Sequence, residues 1–128
     1  MVLTNFIHHV AIIASDYETS KHFYSEILGF EIIHEAYREE RQSYKLDLKV
    51  GESQIELFSF PDVPERQNKP EAAGLRHLCF AVEDVNEAVK ELTAKGVEVE
   101  DIRLDPYTHK TYTFFKDPDG LPLELYEK

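Results

Sequence analysis

The sequence predicts an α+β chain made of two tandem βαβββ modules. Three observations predict it. An order of strand, helix and three strands runs through residues 6–60. The same order begins again at residue 75. The chemically distinctive residues of the first copy recur 68 positions later. The expected division is a first module at 1–60, a linker at 61–74 and a second module at 75–128.

Residues 6–14 (FIHHVAIIA) form an apolar, β-branched run that predicts a strand. Asp16 is a good N-cap, and Tyr17, Ser20, Phe23, Tyr24, Ile27 and Leu28 follow helical spacing. Gly29 is placed to stop that helix. Three strands follow at 30–37, 43–50 and 54–60, with clear alternation in Tyr44, Leu46, Leu48 and Val50. Residues 61–74 (PDVPERQNKPEAAG) carry three prolines and many polar groups, which predicts a linker. The second copy opens with a strand at 76–82. Asp84 caps a helix carrying Val85, Ala88, Val89 and Leu92 that Gly96 ends. Strands are expected at 97–104, 110–116 and 122–127, with Asp117-Pro118-Asp119-Gly120 as the last turn.

Composition narrows the function classes. A hydrophobic share of 42% suffices for a packed core and argues against disorder. The formal net charge of −11 argues against nucleic acid or an anionic membrane as partner, since both select clustered Lys and Arg. Met1 is followed by VLTNF, with neither a basic start nor a long apolar run, so no signal peptide is expected. Cys79 is the only cysteine, which excludes an intrachain disulfide and suits a reducing cytoplasm.

The repeat selects the residues that matter. Adding 68 to His9, Asp16 and Glu56 gives His77, Asp84 and Glu124. The interval from histidine to glutamate is 47 residues in both copies, and Ile55-Glu56-Leu57 matches Leu123-Glu124-Leu125. His9 rather than His8 has a counterpart, because Arg76 stands where His8 would recur. Alternate residues of a strand share a face, so His9 and His77 occupy equivalent inward positions. A glutamate between apolar neighbours on a sheet is costly unless compensated. Two neutral imidazoles and two carboxylates balance one divalent ion, and this N/O set suits Ni²⁺, Zn²⁺, Co²⁺, Fe²⁺ or Mn²⁺. The expected metal ligands are therefore His9, Glu56, His77 and Glu124. His22 and His34 are expected on the surface, His8 beside the site or on the surface, and His109 in a polar loop. Cys79 shares a face with His77 but lacks an identifiable activating base, so a small buried residue is expected there.

These motifs resemble the vicinal oxygen chelate superfamily, and within it the glyoxalase I-like proteins of the glyoxalase/bleomycin resistance/dioxygenase group. The resemblance covers nearly the whole chain. It rests on IHHVAIIASDYETSKHFYSEILGFE, IELF at 55–58, LRHLCFAVED at 75–84 and FFKDPDGLPLELYE at 114–127. It implies curved mixed sheets around a metal, with His9, Glu56, His77 and Glu124 as ligands. The family's first ligand lies fourteen residues before a Phe-Tyr pair, here Phe23-Tyr24. The His/Glu/His/Glu set resembles bacterial glyoxalase I. It implies a lyase or isomerase of lactoylglutathione lyase type, as in methylglyoxal detoxification. The substrate would be a small molecule, typically a thiol adduct of a 2-oxoaldehyde. The metal would chelate two neighbouring oxygens and stabilise an enediolate while a carboxylate moves the proton. Glu124 is the first candidate for that base and Glu56 the second. A homodimer is implied, with the metal site within one chain or shared between two.

Two positions depart from the glutathione-using pattern. An arginine commonly lies four residues after the first ligand, where this chain has Ile13, and an asparagine four after the second, where it has Phe60. These departures point away from glutathione as the thiol. Arg38, Arg41, Arg103 and Lys110 are candidates for an anionic substrate group, and the loop 105–110 for a cavity rim. Two alternatives stand beside the lyase: another enzyme on the scaffold, such as an epimerase or a thiol transferase in antibiotic resistance, and a ligand-sequestering protein of bleomycin-resistance type. A sequestering protein gains nothing obvious from two buried glutamates.

Overall fold

A computed structural model describes residues 1–128. Its contacts group into two compact units, Met1–Glu65 and Arg66–Lys128. No helix is long and apolar enough to cross a membrane.

In the first unit β1 (His9–Ala14) is followed by α1 (Tyr17–His22), β2 (Glu31–Arg38), β3 (Ser43–Val50) and β4 (Ser53–Ser59). The sheet order is β1-β4-β3-β2. The β1–β4 pairing is parallel and the other two are antiparallel, so the first and last strands of the module lie side by side. The second unit repeats this plan with β5 (Leu78–Val82), α2 (Val85–Ala94), β6 (Arg103–Leu104), β7 (Thr111–Lys116) and β8 (Pro122–Glu127), in the order β5-β8-β7-β6. The fold class is the one the repeat predicts: two four-stranded mixed sheets with few helices.

The caps act as the sequence implies. The Asp16 carboxylate accepts from the Thr19 N–H at 3.1 Å, and Asp84 accepts from the Glu87 N–H at 3.2 Å, each satisfying an otherwise orphan helix donor. Beyond His22 the first helix widens into a π-turn over Phe23–Ile27. Leu28 N–H bonds five residues back to the Phe23 carbonyl, while the Ser25 hydroxyl donates to the Lys21 carbonyl at 2.6 Å. That serine bond competes with the regular helical ladder, a feature helical spacing does not reveal.

The expected strand at 97–104 is mostly irregular. Only Arg103–Leu104 is strand, with an isolated bridge at Val99–Phe115. The Thr113 hydroxyl donates to the Glu100 carbonyl at 2.7 Å, taking an acceptor that a continued ladder would use. The strands expected from residues 6 and 76 begin later, at His9 and Leu78.

Each sheet buries one face. Leu46, Leu48, Ile55, Leu57, Ile12 and Ala14 alternate along β3, β4 and β1 and are all buried with Phe23 and Tyr24. In the second unit Leu123, Leu125 and Phe115 are buried with Val85 and Leu92 of α2. The alternate positions, including Glu56 and Glu124, therefore lie on the opposite, helix-free face.

A polar clasp ties α1 to β2. The Tyr17 hydroxyl donates to Glu35, and the Lys21 ammonium lies 2.8 Å from the same carboxylate. Hydrogen bonds from Lys21 and then Tyr17 hold the Glu35 pKa below its ordinary value. A depressed carboxylate pKa contributes stability that is present above the unfolded pKa and fades as pH falls through the folded one. Relative to Glu35→Gln, the wild type should therefore be about 1 kcal/mol more stable at pH 7, and the gap should close below about pH 4. Urea unfolding of both proteins across that range measures it; a pH-independent gap would assign the clasp's contribution to shape alone.

Candidate functional site

His9 opens β1 and Glu56 sits mid-way along β4. In register, Ala11 lies opposite Glu56 and His9 opposite Gln54, so both side chains emerge on the helix-free face. His9 Nε2 is 3.5 Å from Glu56 Oε2. In the second unit His77 immediately precedes β5, and its Nε2 is 3.0 Å from Glu124 Oε1. The glutamate side chains are largely covered, at 15% and 12% exposure, which fits carboxylates held against a sheet rather than pointing into solvent. The structure thus brings together the two pairs that the 47-residue interval picked out.

The donor spacing suits a metal ion. Two ligand atoms each about 2.1 Å from one ion are about 3.0 Å apart across a right angle and about 3.4 Å apart across a tetrahedral one. The His77–Glu124 pair falls in that range at 3.0 Å, and the His9–Glu56 pair lies just beyond it at 3.5 Å. As they stand, no group of three or more His, Cys, Asp or Glu side chains is close enough to hold an ion. Each unit supplies one imidazole and one carboxylate.

The surroundings differ between the units. Lys45 and Asp47 on β3 stand beside Glu56: the Lys45 ammonium is 2.7 Å from Asp47 Oδ1 and 3.9 Å from Glu56 Oε1. Sequence reasoning did not single these two out. The signal was present, because alternation of Leu46 and Leu48 into the core sends Lys45 and Asp47 to the face of Glu56. Beside Glu124 no such lysine stands. Phe114 on β7 pairs with Glu124 in register and meets the His77 ring edge-on at 5.1 Å. Arg76 Nη1 lies 3.1 Å from His77 Nδ1. A guanidinium only donates, so His77 Nδ1 accepts here and the ring proton sits on Nε2, toward Glu124.

Cys79 lies opposite Glu124 in register but is exposed, contrary to the buried position expected. The physical reason is its place on the helix-free face. Partial desolvation of the sulfur, reinforced by the Glu124 charge, pushes its pKa up to about 12, so it stays a thiol at neutral pH.

The other candidates fall out as follows. His22 and His34 are exposed, as expected. His8 is exposed with its Nδ1 3.0 Å from His9 Nδ1. His109 is exposed in the loop before β7, with φ of 62°. That loop is tethered to β8, since the Tyr126 hydroxyl donates to Asp105 at 2.8 Å and also meets Thr108. Arg38 lies over Phe58 and Phe60, at 5.0 and 5.9 Å from the ring centres, and Arg41 over Phe60 at 5.2 Å. Arg103 lies 5.6 Å from the rings of both Tyr112 and Phe114.

Residues 6–125 match the Glyoxalase/Bleomycin resistance protein/Dioxygenase superfamily. The chain belongs to this superfamily. A glyoxalase family protein from Enterococcus faecalis superposes with a TM-score of 0.92 at 50% identity, covering 98% of this chain and 100% of that one. Uncharacterized protein YwkD of Bacillus subtilis is 64% identical over 128 residues, 99% of this chain and 100% of its own length. A mitochondrial methylmalonyl-CoA epimerase of Dictyostelium discoideum is 27% identical over 129 residues, 95% of this chain and 78% of its own length. As a superfamily member the chain shares a scaffold on which many proteins are enzymes acting on small molecules, typically with a divalent metal.

Proposed function

We propose that this chain is a metal-dependent lyase or isomerase of glyoxalase I type, which moves a proton between adjacent carbons of a small α-hydroxy-carbonyl molecule. The supporting observation is the pair of matched imidazole–carboxylate couples, His9–Glu56 and His77–Glu124, each on the helix-free face of its sheet with its donor atoms 3.5 and 3.0 Å apart. Four such groups balance a 2+ ion, which when bound supplies Lewis-acid charge to two neighbouring substrate oxygens. Within this reading Glu124 takes the proton from the substrate carbon and returns it to the neighbouring one. His9 and His77 orient the centre, and Phe114 walls the His77 side. The apolar Ile13 and Phe60 favour a thiol other than glutathione, or none.

Epimerisation is the second reading. The epimerase relative favours it, and the two reactions share abstraction of a proton next to a carbonyl. A homodimer belongs to the proposal, with the ligand pairs combined within a chain or across two. Light scattering should give about twice the 14.9 kDa chain mass, and a value near one chain would remove the dimer.

The deciding test is metal content of protein purified without chelators or an affinity tag, beside Glu56→Gln and His77→Ala. About one divalent ion per chain, lost in both variants, is expected. Absence of metal in the wild type, with no uptake of Ni²⁺, Zn²⁺, Co²⁺ or Mn²⁺ on titration, would overturn the mechanism. A ligand-sequestering role would then be the stronger reading.

A further inference from the structure

The second unit contains a cavity of about 590 Å³ whose charge runs against that of the whole chain. The chain carries −11, yet five cations line this one space: Arg66, Lys69, Arg76, Arg103 and Lys116. Two carboxylates accompany them, and each is already engaged. Glu71 pairs with Arg76 at 2.6 Å, and Glu100 pairs with Arg103. Five cations less two carboxylates leave three positive charges, on Arg66, Lys69 and Lys116.

The wall that carries them is built rather than loose. Arg66 donates to Asn68 Oδ1 at 2.7 Å and to the carbonyls of Leu75 and Arg76 at 2.8 and 3.0 Å. Asn68 in turn donates to the Gly120 carbonyl at 2.8 Å, fastening the wall to the turn before β8. All these partners are neutral, so the Arg66 charge is held in place without being cancelled. Neither Lys69 nor Lys116 has a carboxylate partner. Phe114 and Pro122 give the cavity an apolar side. Phe114 is also the ring that touches His77, so the cavity adjoins the candidate centre.

We propose that this cavity binds the phosphate group of a small organic molecule whose reacting end lies at the His77–Glu124 pair. The proposal rests on the functional reading above for the reacting end alone. Three uncompensated charges exceed what one carboxylate balances and suit a phosphate dianion. The Phe114 ring adds a surface for the organic part, which a bare ion would not use.

The test is calorimetric titration of the full-length, metal-free protein at pH 7.5 with phenyl phosphate, inorganic phosphate and benzoate. Metal removal keeps phosphate from acting as a chelator, and metal content is read separately, so loss of the metal reading and loss of this one are distinguishable. Phenyl phosphate should saturate with a Kd below about 1 mM, and inorganic phosphate and benzoate should each bind at least about fivefold more weakly. The doubly exchanged Lys69→Glu/Lys116→Glu protein should lose at least about tenfold, Lys69→Gln/Lys116→Gln less, and Lys90→Glu on α2 nothing. Unfolding curves show whether each variant is folded. Equal binding of benzoate, tighter binding of inorganic phosphate, or phenyl phosphate binding indifferent to both lysine pairs would overturn the proposal. So would no saturation by phenyl phosphate up to about 10 mM, a level beyond any specific site.

Discussion

Glu124→Gln should lower turnover by about two to four orders of magnitude at saturating metal, the usual contribution of a positioned acid–base group. Glutamine keeps the size of the side chain and one oxygen donor but cannot accept the proton. Saturating metal removes weakened binding as the cause of the loss. The two glutamates are not equivalent in their surroundings. Lys45 stands 3.9 Å from Glu56 and engages its charge. Glu124 has no lysine or arginine at ion-pair distance; it meets the His77 ring at 3.0 Å and the neutral Cys79 thiol. Glu124 is therefore the freer proton acceptor. Glu56→Gln, assayed in parallel, should cost no more than about tenfold in turnover once metal is saturating. Exchange of the substrate's carbon-bound hydrogen with deuterated solvent gives the same ranking without assuming a product. If Glu56→Gln proved the more damaging variant, the roles of the two carboxylates would have to be exchanged.

Leu123→Ala should destabilise the chain by about 2–5 kcal/mol, read from urea unfolding. Leu123 is fully buried on β8, opposite Leu78 and Phe115 in register, with α2 on the same side of the sheet. Truncation removes apolar area and leaves a cavity that two paired strands cannot easily close. Leu104→Ala is the control. Leu104 is 58% exposed, and its loss should stay within about 0.5 kcal/mol. A cost below about 1 kcal/mol for Leu123→Ala would mean that this unit's core lies elsewhere. Leu123 also precedes Glu124, so collapse around the missing side chain should tilt the carboxylate.

The features easiest to read in the sequence were those set by period and by repetition. Alternation along β3 and β4 fixed which face is buried, and that alone sent Glu56 away from the core. The interval shared by His9–Glu56 and His77–Glu124 located side chains that do meet in space. Helix starts were legible because Asp16 and Asp84 satisfy backbone donors locally. What could not be read depends on single side-chain bonds to the backbone. Ser25 turns the end of the first helix into a π-turn, and Thr113 interrupts the strand expected at 97–104. The basic cavity was illegible for a different reason. Arg103 was a candidate anion anchor, but Arg66 and Lys69 sit in a stretch whose prolines and polar residues suggest only a linker, and Arg76 opens the strand expected at 76–82. Nothing in their spacing shows that the stretch folds back against Phe114 and Lys116.

The parallel pairing of each module's outer strands has a consequence for how the chain acquires its chemistry. β1 has β4 as its sole neighbour in the sheet, and β5 has β8. A nascent chain that has made only the first three strands of a module has nothing for its leading strand to dock against. That strand, with its histidine, must wait for the last one, which brings the glutamate. The loop closed in that step spans most of the module, so it is among the slower, entropically costly events of folding. Each imidazole–carboxylate couple thus comes into being only when its module is complete. A half-made module therefore carries its histidine without the carboxylate that partners it in the finished fold.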